Sequence, residues 1–163
     1  MFSAAIAEHA ARVLHLYRAK HLTLTAAESC TSGLVAAALT AHGGASDVFE
    51  RGFVTYSNES KIEMLGVPAA ILVRHGAVSA NVAIAMAEGA LAHSKADVAV
   101  SVTGIAGPGG GTPQKPVGLV YVGVQRRGTP ATVQRFNFSE LSRDDIRMMT
   151  VAEALRLVEE VIL

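Results

Sequence analysis

The sequence predicts an α/β protein: a three-layer α/β/α sandwich on a mixed sheet of about five strands, one of them antiparallel. Three observations lead there. Helix-period and strand-period segments alternate along the chain, the pattern of a sheet covered on both faces. The last two strand-like runs are joined by Arg126-Arg127-Gly128-Thr129-Pro130, a hairpin loop, so one strand must run against the others. Finally, 163 residues with no repeat, charge block or long linker suit a single domain over 1–163.

The elements follow in order. Residues 4–20 place Ile6, Ala10, Val13, Leu14 and Tyr17 on one stripe, an amphipathic helix. Residues 22–27 alternate apolar side chains with threonine and read as a strand. From Thr31 to Ala41 the composition turns helical, and Gly43-Gly44 ends that helix. Residues 52–56 form a second short strand. Asn58 is placed to cap a helix running to Leu65, Gly66 terminates it, and Pro68 opens a further short turn. Ser79 caps a long helix to about Lys95, whose alanines lie on all sides and predict burial. Alternating valines make residues 97–103 a strand, residues 104–116 are a loop rich in Gly and Pro, and residues 117–125 and 131–138 are the hairpin strands. Ser142, with Asp145 three residues on, heads the last helix like a capping box; its stripe is Val151, Ala154, Leu155, Val158 and Ile162.

Composition excludes several classes of function. Half of the residues are hydrophobic and 17% are charged, which excludes intrinsic disorder. Fourteen basic and fourteen acidic residues cancel, so the basic excess of a nucleic-acid module is absent. Sparse, balanced charge leaves little repulsion between copies. With alanine-rich helix faces, it predicts a homo-oligomer, a dimer in the simplest case. The single cysteine, Cys30, excludes a disulfide framework and a Cys-based zinc site. None of the six histidines forms a pair at metal spacing beside a carboxylate, so no metal is predicted. The longest apolar run, residues 34–41, is far short of the ~20 residues of a membrane span. The start carries Glu8, His9 and Arg12 where a signal peptide has an unbroken apolar core. A cytoplasmic domain with no membrane and no nucleic-acid partner is expected.

Three segments, each just after a strand, break the bland pattern, and ligands of open α/β sheets bind at that edge. In Thr25-Ala26-Ala27-Glu28-Ser29-Cys30-Thr31-Ser32-Gly33, the amides of Thr31, Ser32 and Gly33 are expected as free donors at a helix N-terminus. Such donors suit a phosphate or an oxyanion; an ordinary N-cap explains the same hydroxyl residues. In Tyr56-Ser57-Asn58-Glu59-Ser60-Lys61, the lysine falls in the first helical turn, where the dipole disfavours its charge. A solvated surface lysine tolerates that penalty, so this segment alone decides nothing. The third is Gly104 to Pro116. It is neither a P-loop nor a dinucleotide fingerprint, because no Gly-Lys-Ser/Thr and no helix follow. A loop of this length is more often functional than a neutral connector.

Together these segments resemble the CinA C-terminal domain family over essentially the whole chain. The resemblance rests on Thr25 through Gly33, on Arg51-Gly52-Phe53-Val54-Thr55-Tyr56-Ser57-Asn58-Glu59 with Lys61, and on Gly104-Ile105-Ala106-Gly107-Pro108 with Lys115-Pro116-Val117-Gly118. It implies an α/β/α sandwich and usually an oligomer. Stand-alone members resemble nicotinamide-nucleotide amidohydrolase, which converts nicotinamide mononucleotide to the acid and ammonia. A small-molecule nucleotide is then the partner. By that resemblance Ser29 is the nucleophile and Lys61 the general base, a Ser–Lys variant of the triad logic, while Tyr56 orients Lys61 or relays its proton. The lysine must then be neutral, well below the ordinary pKa of ~10.4, chiefly through desolvation. Amides from Thr31 to Gly33 would hold the oxyanion. Thr103 and Gly104 of the glycine loop would admit the ribose or the nicotinamide. Lys115 and Arg143 are candidate phosphate partners, with Arg147 the weaker choice. The chemistry requires no metal and no cofactor.

Two points stay open at this level. Cys30 is a rival nucleophile, although alternation in extended chain sends Ser29 and Cys30 to opposite sides. The family usually carries two glycines after Ser-Cys-Thr, whereas Ser32 stands at the first here. The competing function is a non-catalytic nucleotide- or partner-binding domain linked to competence or DNA damage. The chain opens directly on its first helix, from which an autonomous enzyme is expected.

Overall fold

The computed structural model describes residues 1–163. Five strands form one sheet in the order β2-β1-β3-β4-β5: β1 (Leu24–Glu28), β2 (Phe49–Val54), β3 (Val98–Gly104), β4 (Leu119–Arg126) and β5 (Thr132–Asn137). β1 pairs parallel with β2 and β3, and β4 runs antiparallel to both β3 and β5. This is the mixed sheet that the hairpin predicted, with β4 the reversed strand.

Helices α1 (Ala4–Ala19), α2 (Leu34–Thr40) and α6 (Arg143–Glu160) cover one face; α3 (Asn58–Leu65), α4 (Ala69–His75) and α5 (Ala80–Ala92) cover the other. The sheet alternates between two apolar clusters. Leu24, Ala26, Val98, Val100 and Val102 join α1, α2 and α6, whereas Ala27 and Ala99 join α5. On the α5 face the strand residues are small, and this is what lets α5 lie close. A Cβ at Gly123 would sit 2.5 Å from Ser101 Oγ and 2.8 Å from the Ala83 carbonyl of α5. The alanines of α5 are buried, as their all-round distribution predicted. Tyr17 is buried under α6 and donates its hydroxyl to the Val158 carbonyl at 2.7 Å; burial raises its pKa.

The structure moves several boundaries. The second helix begins at Leu34 rather than Thr31, because the residues before it form a tight turn with Ser32 (φ 48°) and Gly33 (φ 96°) left-handed. β2 starts three residues earlier than predicted. Its charged Glu50 and Arg51 suit an edge strand, while Thr55 and Tyr56 leave the ladder to serve the site below. Ser57, not Asn58, caps α3, its hydroxyl accepting from the Ser60 amide. The short turn after Pro68 is the helix α4.

Candidate active site

β1 delivers Ser29 to the carboxyl edge of the sheet. The Ser29 amide still donates to Val102 of β3 at 3.0 Å, so the residue is anchored like a strand member while its side chain leaves the core. The turn after it is held from within. The buried Glu28 carboxylate accepts from the Thr31 hydroxyl at 2.6 Å and from the amides of Gly33, Val35 and Ala36 at 3.1, 3.0 and 2.9 Å. These are the orphan donors of the α2 N-terminus, and a carboxylate there also suits the helix dipole.

That arrangement corrects the expectation of free donors at Ser32 and Gly33. Gly33 gives its amide to Glu28, and Ser32 donates both its amide (3.0 Å) and its hydroxyl (3.1 Å) to the Ser29 carbonyl. The amides of Cys30 and Thr31 are the ones that donate to no protein acceptor. The free donors therefore lie directly after Ser29.

Lys61 comes from the first turn of α3 and is only 1% exposed. Its Nζ lies 3.0 Å from Ser29 Oγ and donates to the carbonyls of Thr55 at 2.8 Å and Tyr56 at 3.3 Å. No carboxylate pairs with it; burial lowers its pKa, with the nearby Cys30 partly opposing. Cys30 itself packs into the apolar cluster beneath α6, and burial pushes its thiol up to about 12. At neutral pH it is a protonated thiol, largely packed into the core, that also borders the cavity beside Ser29. What separates the two is contact: Ser29 Oγ meets Lys61 Nζ, whereas Cys30 packs into the apolar cluster and makes no side-chain hydrogen bond to the lysine.

A cavity of about 220 Å³ opens on this pair, walled by Cys30, Tyr56, Ala77, Val78, Gly104, Ala106 and Arg143. Gly104 is required there by close packing, since a Cβ would lie 2.7 Å from Val120 Cγ2. Arg143, the first residue of α6, donates to the Gly107 carbonyl at 2.6 Å and to the Tyr56 hydroxyl at 3.3 Å. The Tyr56 side chain, 60% exposed, stands at the mouth, and it is the Tyr56 backbone that touches Lys61. Five predicted residues do not line the cavity: Thr31, Ser32 and Gly33 of the turn, and Thr103 and Lys115. The Thr103 hydroxyl is buried and donates to the Ala77 carbonyl at 2.8 Å, holding the wall from behind. The Lys115 ammonium donates to the His75 carbonyl at the end of α4, which pins the glycine loop.

Sequence reasoning missed Glu28, although a carboxylate ending a strand of small residues just before a helix is a readable signal for a buried cap. It also missed that Arg147 donates to the carbonyls of Cys30 and Thr31, at 3.1 and 3.3 Å. Nothing in the local sequence marks that contact, which spans more than a hundred residues.

Fold and site together define an α/β/α protein that sets a serine hydroxyl against a buried amine at the carboxyl edge of its parallel strands. The chain belongs to the CinA family: the CinA C-terminal domain matches residues 6–162. It is 50% identical over 153 residues to a "Putative competence-damage inducible protein" of Caldicellulosiruptor bescii, covering 93% of this chain and 36% of that protein. Identity to a "CinA-like protein" of Citrifermentans bemidjiense is 54% over 144 residues, 88% of this chain and 34% of that protein. The chain thus spans about a third of the length of these curated relatives. Among solved structures, the competence/damage inducible protein CihA of Agrobacterium tumefaciens superposes with a TM-score of 0.98 at 44% identity, covering 100% of this chain and 99% of that one. The competence damage-inducible protein A of Klebsiella pneumoniae gives 0.91 at 36% identity, with 96% of each chain covered. No helix is long and apolar enough to cross a membrane.

Proposed function

We propose that this chain is an amidohydrolase that attacks a carboxamide with Ser29, uses Lys61 as base, and acts on nicotinamide mononucleotide. The carrying observation is the set of partners around Lys61 Nζ: two carbonyls and one hydroxyl. With no carboxylate to pair it, burial favours the neutral amine, which gives the two carbonyls its N–H groups and turns its lone pair to Ser29 Oγ. The hydroxyl then donates to the amine, the arrangement a general base needs.

In this reading Lys61 takes the Ser29 proton as Oγ bonds to the carboxamide carbon. The Cys30 and Thr31 amides receive the developing oxyanion, in place of Ser32 and Gly33. The ammonium of Lys61, still held by Thr55 and Tyr56, passes its proton to the amide nitrogen; the C–N bond breaks and ammonia leaves. Water, deprotonated by Lys61, then cleaves the Ser29 ester to the acid. The cavity is smaller than the about 300–1,000 Å³ of most ligand sites, so a nucleotide extends past its mouth. There Arg143, the one guanidinium on the wall, is the candidate partner of the phosphate; Lys115 does not line the cavity.

Ammonia release from nicotinamide mononucleotide, measured by a coupled assay over a panel of nicotinamide-containing compounds, tests this reading. Turnover by the parent chain and its loss in Ser29→Ala and Lys61→Met is the expected result. Tight binding without ammonia release selects the nucleotide-binding alternative.

A further inference from the structure

Arg147 lies one turn along α6 from Arg143 and is half-buried without a carboxylate partner, unlike the ion-paired Arg12, Arg18, Arg51 and Arg156. Its guanidinium is spent instead on two consecutive backbone oxygens, Cys30 (Nε, 3.1 Å) and Thr31 (Nη2, 3.3 Å). Both belong to the turn that follows Ser29. A trans peptide is planar, so the Cys30 carbonyl and the Thr31 N–H point in opposite directions. Whatever grips that oxygen also aims that hydrogen. The preceding peptide is fixed in the same way: Ser32 holds the Ser29 carbonyl twice, which aims the Cys30 N–H. These two N–H groups donate to nothing else in the protein.

We infer that Arg147 is a positioning residue for the oxyanion donors: by clamping the Cys30 and Thr31 carbonyls from α6 it fixes where the Thr31 N–H points. The inference rests on Ser29 being the nucleophile. It assigns Arg147 to the reaction rather than to substrate phosphate, because Arg147 does not line the cavity and its donors are held by the turn after Ser29. Removing one oxyanion donor costs about 10²–10³ in rate, and loosening one costs less.

A fluorophosphonate probe tests this without reference to the natural substrate. Ser29 Oγ bonds to phosphorus, the P–F bond breaks, fluoride leaves, and Lys61 takes the serine proton; the phosphonyl oxygen occupies the oxyanion position. Labelling of the full chain, located by peptide mass spectrometry, is compared with Arg147→Gln and Arg147→Lys, alongside thermal midpoints and kcat and KM for ammonia release. The expected result is labelling at Ser29 in the parent chain and a roughly 10–100-fold slower rate in Arg147→Gln. Arg147→Lys, which keeps one cationic donor, recovers part of the rate. KM and the pH at which labelling turns on stay unchanged, since neither Lys61 nor Arg143 is touched. If Arg147→Gln does not fold, Arg147→Lys carries the comparison. Equal labelling rates in parent and folded variant, or a loss confined to KM, overturn the inference and leave the amidohydrolase reading standing. A parent chain unlabelled at Ser29 removes the nucleophile assignment and the inference together.

Discussion

At the site, two adjacent residues with similar chemistry take different places in the turn that ends β1. Ser29 meets Lys61 Nζ at 3.0 Å, whereas Cys30 is in the core with its pKa raised to about 12 by burial. A thiol in that state is a poor nucleophile at neutral pH. Cys30→Ala is therefore expected to keep kcat within a few-fold, and Ser29→Ala to lose turnover; the opposite pair of results in the ammonia assay would reverse the assignment. Lys61 sets the pH dependence. Its pKa is lowered from 10.5 by burial, and only the neutral form is a base, so kcat/KM should rise with pH through a limb that ends below 10.5. A limb at 10.5 or above means Lys61 is not the base. Ser32 adopts φ 48° and donates its hydroxyl to the Ser29 carbonyl. The left-handed conformation costs a non-glycine residue roughly 1–2 kcal/mol and the bond returns about 1 kcal/mol. Ser32→Gly should leave urea-unfolding stability within about 1 kcal/mol. The residues that carry the site were legible as a combination of three motifs. Which backbone donors remain free was not, because Glu28 takes the obvious ones and that depends on a buried carboxylate's rotamer.

Among the elements, α3 is the one whose placement matters most, since it carries Lys61. Its C-terminal end rests on α5 through Gly89, where a Cβ would stand 2.0 Å from the Leu65 carbonyl oxygen. Gly89→Ala must push α3 away from α5. Overpacking of this kind costs about 1–3 kcal/mol, and the shift should lower kcat as well as the unfolding midpoint. Gly43→Ala is the matched control: no atom lies within 4 Å of its Cβ position, and both quantities should be unchanged. An unaltered kcat in Gly89→Ala would show that the α3–α5 contact does not position the amine. The same elements explain how far local sequence reaches. Caps at Ser79 and Ser142 and the terminator Gly66 act within one turn; the two caps fixed the starts of α5 and α6, and Gly66 the end of α3. β2 was misplaced because its ladder is set by pairing with β1 (Thr25 with Arg51, Ala27 with Phe53), and its charged edge conceals the strand period.

The whole molecule gains its stability from two apolar clusters, 27 buried residues under α1, α2 and α6 and 12 around α5, and buries Lys61 at the end of the sheet between α3 and the strands. An amine held neutral in the native state and free to protonate when unfolded ties global stability to pH. The unfolded chain binds one more proton than the native one whenever the pH lies between the lowered native pKa and 10.5, so unfolding free energy climbs with pH across that window. Below the native pKa the dependence from this residue vanishes, and above 10.5 its penalty is gone. Lys61→Met keeps an unbranched side chain one atom shorter, leaves the Thr55 and Tyr56 carbonyls without the lysine donor, and has nothing to titrate. That lost bonding lowers stability by an amount independent of pH. The remaining titratable groups act alike in both proteins and cancel in the difference. Urea unfolding of the two proteins from pH 7 to 10 should then show the parent gaining on the variant at each step upward. Parallel curves would mean that the lysine is charged in the folded protein, and a cationic Lys61 has no lone pair for the Ser29 proton.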